Sequence, residues 1–123
     1  MAASRIEAMM SVLKKLKAST ADIEAAAAVS VDGLIMASSL PPGVEKDRIA
    51  AMSAAMLSLG DRTAEELGRG ELEQVFIKGA NGYVILMGTG NGAILTAMAR
   101  ADAKLGLISL DMKRTAVEIG EVI

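Results

Sequence analysis

Near the N-terminus, Ile6, Met9, Met10, Leu13 and Leu16 recur three or four positions apart, which places them on one face of a helix. Ser4 followed by Glu7 reads as a capping box at its start, and Lys14, Lys15 and Lys17 sit toward the end where the helix dipole is negative. A helix packed on its own domain fits this better than one lying on a membrane surface. The period then shortens to two: Ile23, Ala25, Ala27, Val29 and Val31 alternate onto one face. Alanine propensity alone favours helix, but Asp32-Gly33 is a two-residue hairpin signal. The stretch therefore predicts strand, turn, strand. Pro41, Pro42 and Gly43 then interrupt the chain.

A second helix is predicted from about Glu45 to Leu67, ended by Gly68 and Gly70. At about 100° per residue, Ile49, Met52, Met56, Leu59 and Leu67 share the side expected to face the core. The opposite side, where Lys, Glu and Arg usually stand, carries Ala51, Ala54, Ala55 and Ser58, with charge returning only at Asp61, Arg62 and Glu65. Alanine is the best helix former on a solvated surface. Four small residues in succession also let another helix approach closely, and a copy of the same helix across a two-fold axis is the commonest partner.

Three short apolar runs follow, "ELEQVFIK", "YVILMG" and "AILTAMAR", separated by the meander turns "GANG" and "GTGNG". In a last helix, capped by Asp102, Leu105, Ile108, Met112, Ala116 and Ile119 form one stripe. Gly106 within it costs about 1 kcal/mol relative to alanine, which implies a packing reason. The order α-β-β-α-β-β-β-α predicts a single α+β domain over residues 1–123, an antiparallel sheet with helices on its faces.

Composition narrows the chemistry. Hydrophobic residues make up 52% of the 123, but aromatics only 2%, so the core is Ala, Leu, Ile, Val and nine Met. Net charge is −2, from 13 basic and 15 acidic residues, with no basic block and no aromatic stacking platform for nucleic acid. There is no cysteine and no histidine, which removes thiolate nucleophiles, Cys/His zinc sites and the usual general base near neutral pH. No stretch reaches membrane-spanning length or forms the unbroken apolar run of a signal peptide, so a cytoplasmic protein is expected. "GTGNGA" (88–93) matches a dinucleotide fingerprint superficially, yet that motif needs a helix after it, and "AILTAMA" reads as a strand. There is no phosphate-binding loop, so tight nucleoside triphosphate binding is not expected. Arg48, Arg62 and Arg69 invite comparison with an arginine supplied in trans to phosphoryl transfer, against the plainer reading of surface arginines paired with nearby acids. No catalytic residue, metal or cofactor is predicted.

The stretches "VSVDGLIMASS", "ELEQVFIKGANGYVILMGTGNGAILTAMA" and above all "AKLGLISLDMKRTAVEI" resemble the Roadblock/dynein light chain family, over essentially residues 20–120. The family carries "LG" where Leu105 and Gly106 stand. The resemblance implies a profilin- or longin-like, five-stranded antiparallel sheet, in order 2-1-5-4-3, between a central helix and two terminal helices. It implies a homodimer in which central helices pair and third strands join edge to edge. Ala51, Ala54, Ala55 and Ser58 would then meet their copies, supported by the Val75/Ile77 face of the strand near Leu72–Lys78. Members are non-catalytic partners of small Ras-like GTPases, or structural adaptors in motor and signalling complexes. A bacterial member activates its GTPase without donating an arginine, which argues against that role for Arg48 or Arg62. Asp61, Arg62, Glu65 and Arg69, on the late turns of the central helix, are the candidate GTPase-binding residues. A small-ligand sensor on a profilin- or PAS-like sheet is a third reading and needs a pocket.

Overall fold

The computed structural model describes residues 2–123, with side chains from Arg5 onward. Its elements are α1 (Ala2–Ser19), β1 (Ile23–Ser30), β2 (Ile35–Ser39), α2 (Lys46–Glu66), β3 (Val75–Gly79), β4 (Gly82–Gly88), β5 (Ala93–Ala99) and α3 (Leu105–Val122). The five strands form one antiparallel sheet in the order β2-β1-β5-β4-β3. One face of the sheet carries α1 and α3, and the other carries α2.

The layer under α1 and α3 is the larger core, where Met9, Leu13 and Leu16 meet Ile108, Met112 and Ile119 over Ile85 and Leu95. Ile6, expected in the α1 stripe, is exposed. The helix starts at Ala2, so Ser4 lies inside its first turn rather than at its cap, and the Ser4 side chain lies outside the described residues. The smaller core, under α2, is built on Ala27, Val29, Leu86 and Ile94.

β1 is more fully buried than simple alternation predicts. A bulge between Ile23 and Ala25 puts Ile23 on the α1/α3 side, while Ala25, Ala27 and Val29 face α2. Ala26 and Ala28 are buried too, because a central strand sandwiched between helix layers has no solvent face. Val31 is exposed in the turn. The β1–β2 connection is longer than the two residues expected. Gly33 N donates to Ser30 O at 3.0 Å and takes φ +88°, closing a tight turn followed by a left-handed residue.

α2 is terminated at Gly68 as expected, whereas α3 is capped differently. α2 stops in a double capping bond: Gly68 N donates to Glu65 O at 3.1 Å and Arg69 N to Ala64 O at 2.7 Å. Asp102 does not cap α3. It pairs with Arg100 at 3.2 Å, and the amide of the N-cap residue Lys104 reaches Asp22 Oδ2 at 3.4 Å instead. Gly106 has no neighbour within 4 Å of where a Cβ would stand, so nothing in the chain's own packing requires glycine there. β3 begins at Val75, leaving Glu71–Gln74 without regular pairing.

Gly82 is the sterically fixed glycine of the sheet: at φ +149°, a Cβ would stand 2.4 Å from Ala99 O on the neighbouring strand. Since backbone cannot move aside as a flexible side chain can, Gly82→Ala should destabilise the fold by about 1–3 kcal/mol. A fall in the urea midpoint at unchanged slope would register it; an unchanged midpoint would contradict this packing.

Candidate interaction surface around the central helix

α2 approaches the sheet through its small residues. Ala50 and Ser53 are its fully buried positions. Thr96 Oγ1 on β5 donates to the Ser53 hydroxyl at 2.8 Å. Gly60 lies close to the edge, where a Cβ would be 3.0 Å from Val75 and 3.1 Å from Leu72. This overturns part of the expected core stripe. Ile49 and Met56 are half-buried, but Met52, Leu59 and Leu67 are 54%, 65% and 66% exposed. The helix is turned so that small side chains meet the sheet, and its long apolar ones are left beside and above it.

The outward face consequently combines both sets. Ala51, Ala55 and Ser58 are exposed together with Met52 and Leu59. Ala54 is half-buried: its Cβ stands 3.7 Å from the Cβ position of Gly33, so the β1–β2 turn already covers one side of it. On the same side of the sheet, Val75 of β3 is half-buried beside Leu86, and Ile77, opposite Val84, is exposed. Two grooves border the helix. One of about 350 Å³ runs beneath Arg48, Met52 and Met56 over Val84, Thr96 and Met98. The other, about 470 Å³, lies between Leu59 and Leu67 above and Leu72, Val75 and Ile77 below, and Met56 lines both.

The charged residues do not form one cluster. Asp61 and Glu65 are one turn apart and share a flank of α2, whereas Arg62 turns about 100° away and pairs with Glu66 at 3.6 Å. Arg69 lies past the helix, its Nε donating to Leu67 O at 3.1 Å. Arg48 pairs with Glu45 at 3.6 Å. The two exposed ion pairs each contribute at most about 1 kcal/mol, so Arg48 and Arg62 are free to exchange partners. The 88–92 loop joins β4 to β5 with no helix after it, and Asn91 Nδ2 donates to Gly120 O of α3 at 2.5 Å. The dinucleotide fingerprint therefore has no structural basis. Among the described residues no group of three acidic side chains could hold a metal, and no helix is long and apolar enough to cross a membrane.

Residues 10–99 match the model of the Roadblock/LC7 domain. The chain belongs to the Roadblock/LC7 family. An uncharacterized protein of Methanocaldococcus jannaschii, MJ1340, is 40% identical over 100 residues, which cover 81% of this chain and 87% of that one. MglB of Myxococcus xanthus superposes with a TM-score of 0.85 at 19% identity, over 95% of this chain and 88% of MglB. Profilin II of Acanthamoeba castellanii superposes with a TM-score of 0.66 at 18% identity, over 94% and 99% of the two chains. The profilin-like architecture with sheet order 2-1-5-4-3 is thus that of a Roadblock/LC7 domain.

Periodicity found the small-residue face of this Roadblock/LC7 domain but missed Met52, Leu59 and Leu67 as surface residues. Their spacing is that of a core stripe, and only the orientation of α2 on the sheet turns them out. The buried hydroxyl pair was equally invisible, since Ser53 and Thr96 are 43 positions apart. Ser53→Ala leaves Thr96 without its partner in a buried site and should destabilise by about 1–3 kcal/mol. Adding Thr96→Val should recover part of that loss in chemical denaturation, whereas strict additivity would mean that the two hydroxyls do not interact.

Proposed function

We propose that this Roadblock/LC7 domain acts as a homodimer that binds and regulates a small Ras-like GTPase in the cytoplasm, with no catalytic residue or cofactor of its own. The observation that carries the dimer is the coincidence of an open sheet edge and an open apolar helix face on one side of the molecule. The two edges differ. β2, equal in length to β3, opposes β1 across a register shift and ends in Ser38 and Ser39, features that blunt an edge. β3 pairs with β4 in unbroken register from Val75 to Gly79, and both Phe76 and Ile77 are exposed. An edge this regular and apolar favours pairing with a second β3. That pairing would bring two α2 helices together along Ala51, Ala55 and Ser58, with Val75 and Ile77 beneath and Ala54 at the margin.

Met52 and Leu59 add the driving force, because fully burying such side chains contributes about 1.5–3 kcal/mol each. The GTPase reading rests on the family resemblance and on the exposed charges at the late turns of α2. Asp61, Arg62, Glu65 and Arg69 would rim the apolar seam and set orientation and association rate. Docking there can order a switch segment of the GTPase and so alter hydrolysis without a donated arginine.

Ala55→Glu, at a position exposed in the single chain, should leave folding intact by circular dichroism yet convert the dimer to monomer in sedimentation. A wild-type monomer at micromolar concentration would overturn the dimer. For the partner, GTP hydrolysis by a Ras-like GTPase of the same genome is measured with and without this protein. A changed rate, lost in Arg62→Glu while the dimer persists, is expected. Binding that leaves the rate unaltered would favour a structural adaptor instead.

A further inference from the structure

Two helices cover four strands, and this sheet has five. On the side away from α2, α1 packs on β1 and β2, and α3 packs on β4 and β5 alike. β3 is left without a helix above it. Phe76 points to that side, in register with the buried Ile85, and is 43% exposed. Ser109 Oγ donates to Gln74 Oε1 at 3.0 Å, so the Ser109 flank of α3 looks toward this bare strand. Within about 100° of Ser109 on the helix lie Gly106, Leu110, Lys113 and Val117. Leu110 and Val117 are 62% and 60% exposed, and the side of Gly106 is open.

Joining two β3 strands edge to edge, the reading on which this inference rests, sets two bare strands side by side between two α3 helices. Strands lie about 4.8 Å apart, so a helix centred over the β4–β5 seam is about 10 Å from the two-fold axis. The α3 axes then stand about 19 Å apart, and helices pack at 8–10 Å. The trench between them is one helix wide.

Two lysines flank it, with Glu71 and Glu73 exposed in the segment leading into β3. Lys78, on the same side of β3, sits over the Tyr83 ring at 5.8 Å, and neither it nor Lys113 makes an ion pair among the described residues. The acids of α3 are turned elsewhere, Asp111 to Thr20 and Arg114 and Glu118 to Lys15, leaving Glu121 at the far end of the helix. We propose that this trench binds one amphipathic α-helix of a partner protein, its apolar stripe on Phe76 of both copies and its acidic flanks toward Lys78 and Lys113. Because the trench straddles the two-fold axis, it takes one helix per two chains.

The probe is a fluorescein-labelled peptide about five helical turns long, with a leucine stripe flanked by glutamates, and a second peptide with lysines in their place. Anisotropy titration of the full chain should show the glutamate peptide saturating at one per two chains and binding at least tenfold tighter than the lysine peptide. Lys113→Glu, on α3 and away from the strand pairing, should reverse that preference. Sedimentation of the same samples separates the two readings. A monomer overturns the dimer and the trench with it. An intact dimer overturns the trench alone if it binds neither peptide, binds both equally, or takes one per chain.

Discussion

The close seating of α2 on the sheet governs the rest of this molecule. Ala50, Ser53 and Gly60 have too little side chain to hold the helix away from β1, β5 and the edge at Val75, so the backbone of α2 comes down onto the strands. The layer beneath matches, because Ala27 and the Ser53–Thr96 hydroxyl pair occupy little depth. A helix held by its smallest residues must put its largest ones somewhere else. Met52, Leu59 and Leu67 are displaced to the flanks and crest, and the two apolar grooves are the spaces they overhang.

The two faces of the sheet are therefore closed to different degrees. Under α1 and α3 the packing is conventional, with Leu, Ile and Met side chains filling the layer. Under α2 a single helix covers a five-stranded sheet, and Val84, Met98 and Ile77 remain at least partly open. Aromatic residues could have filled such gaps within one chain, but Phe76 and Tyr83 are the whole aromatic set and both face the other layer. In the proposed dimer a second copy would close the open side with material of the same kind, and methionine, unbranched and polarizable, suits a surface that a partner would cover.

The polar features support this arrangement without driving it. The exposed ion pairs of α2 are weak. The better-placed polar links join elements instead: Ser53 to Thr96, Thr20 to Asp111, Ser109 to Gln74 and Asn91 to Gly120. Each fixes where a helix stands along a strand or loop, which the featureless apolar contacts of an alanine-rich core do not. The Ser109–Gln74 bond in particular ties α3 to the segment leading into β3.

By itself the sequence determined the number, kind and order of the elements. Helical and two-residue periods, with glycine and proline between them, are local consequences of backbone geometry and need no partner to be expressed. It also determined the alanine face of α2 and the absence of thiol and imidazole chemistry. Tertiary structure alone decided what those faces do. The bulge at Ile23–Ala25 moves Ile23 across the sheet, Asp22 takes the amide that Asp102 was expected to cap, and Gly106 faces open space rather than a neighbour. Above all, a helical wheel fixes the angles between residues but not the angle at which the helix sits. The choice between seating α2 on its methionines or on Ala50, Ser53 and Gly60 lay in the depth of the sheet beneath, which is set by strands distant in the chain, as Thr96 is 43 residues from Ser53.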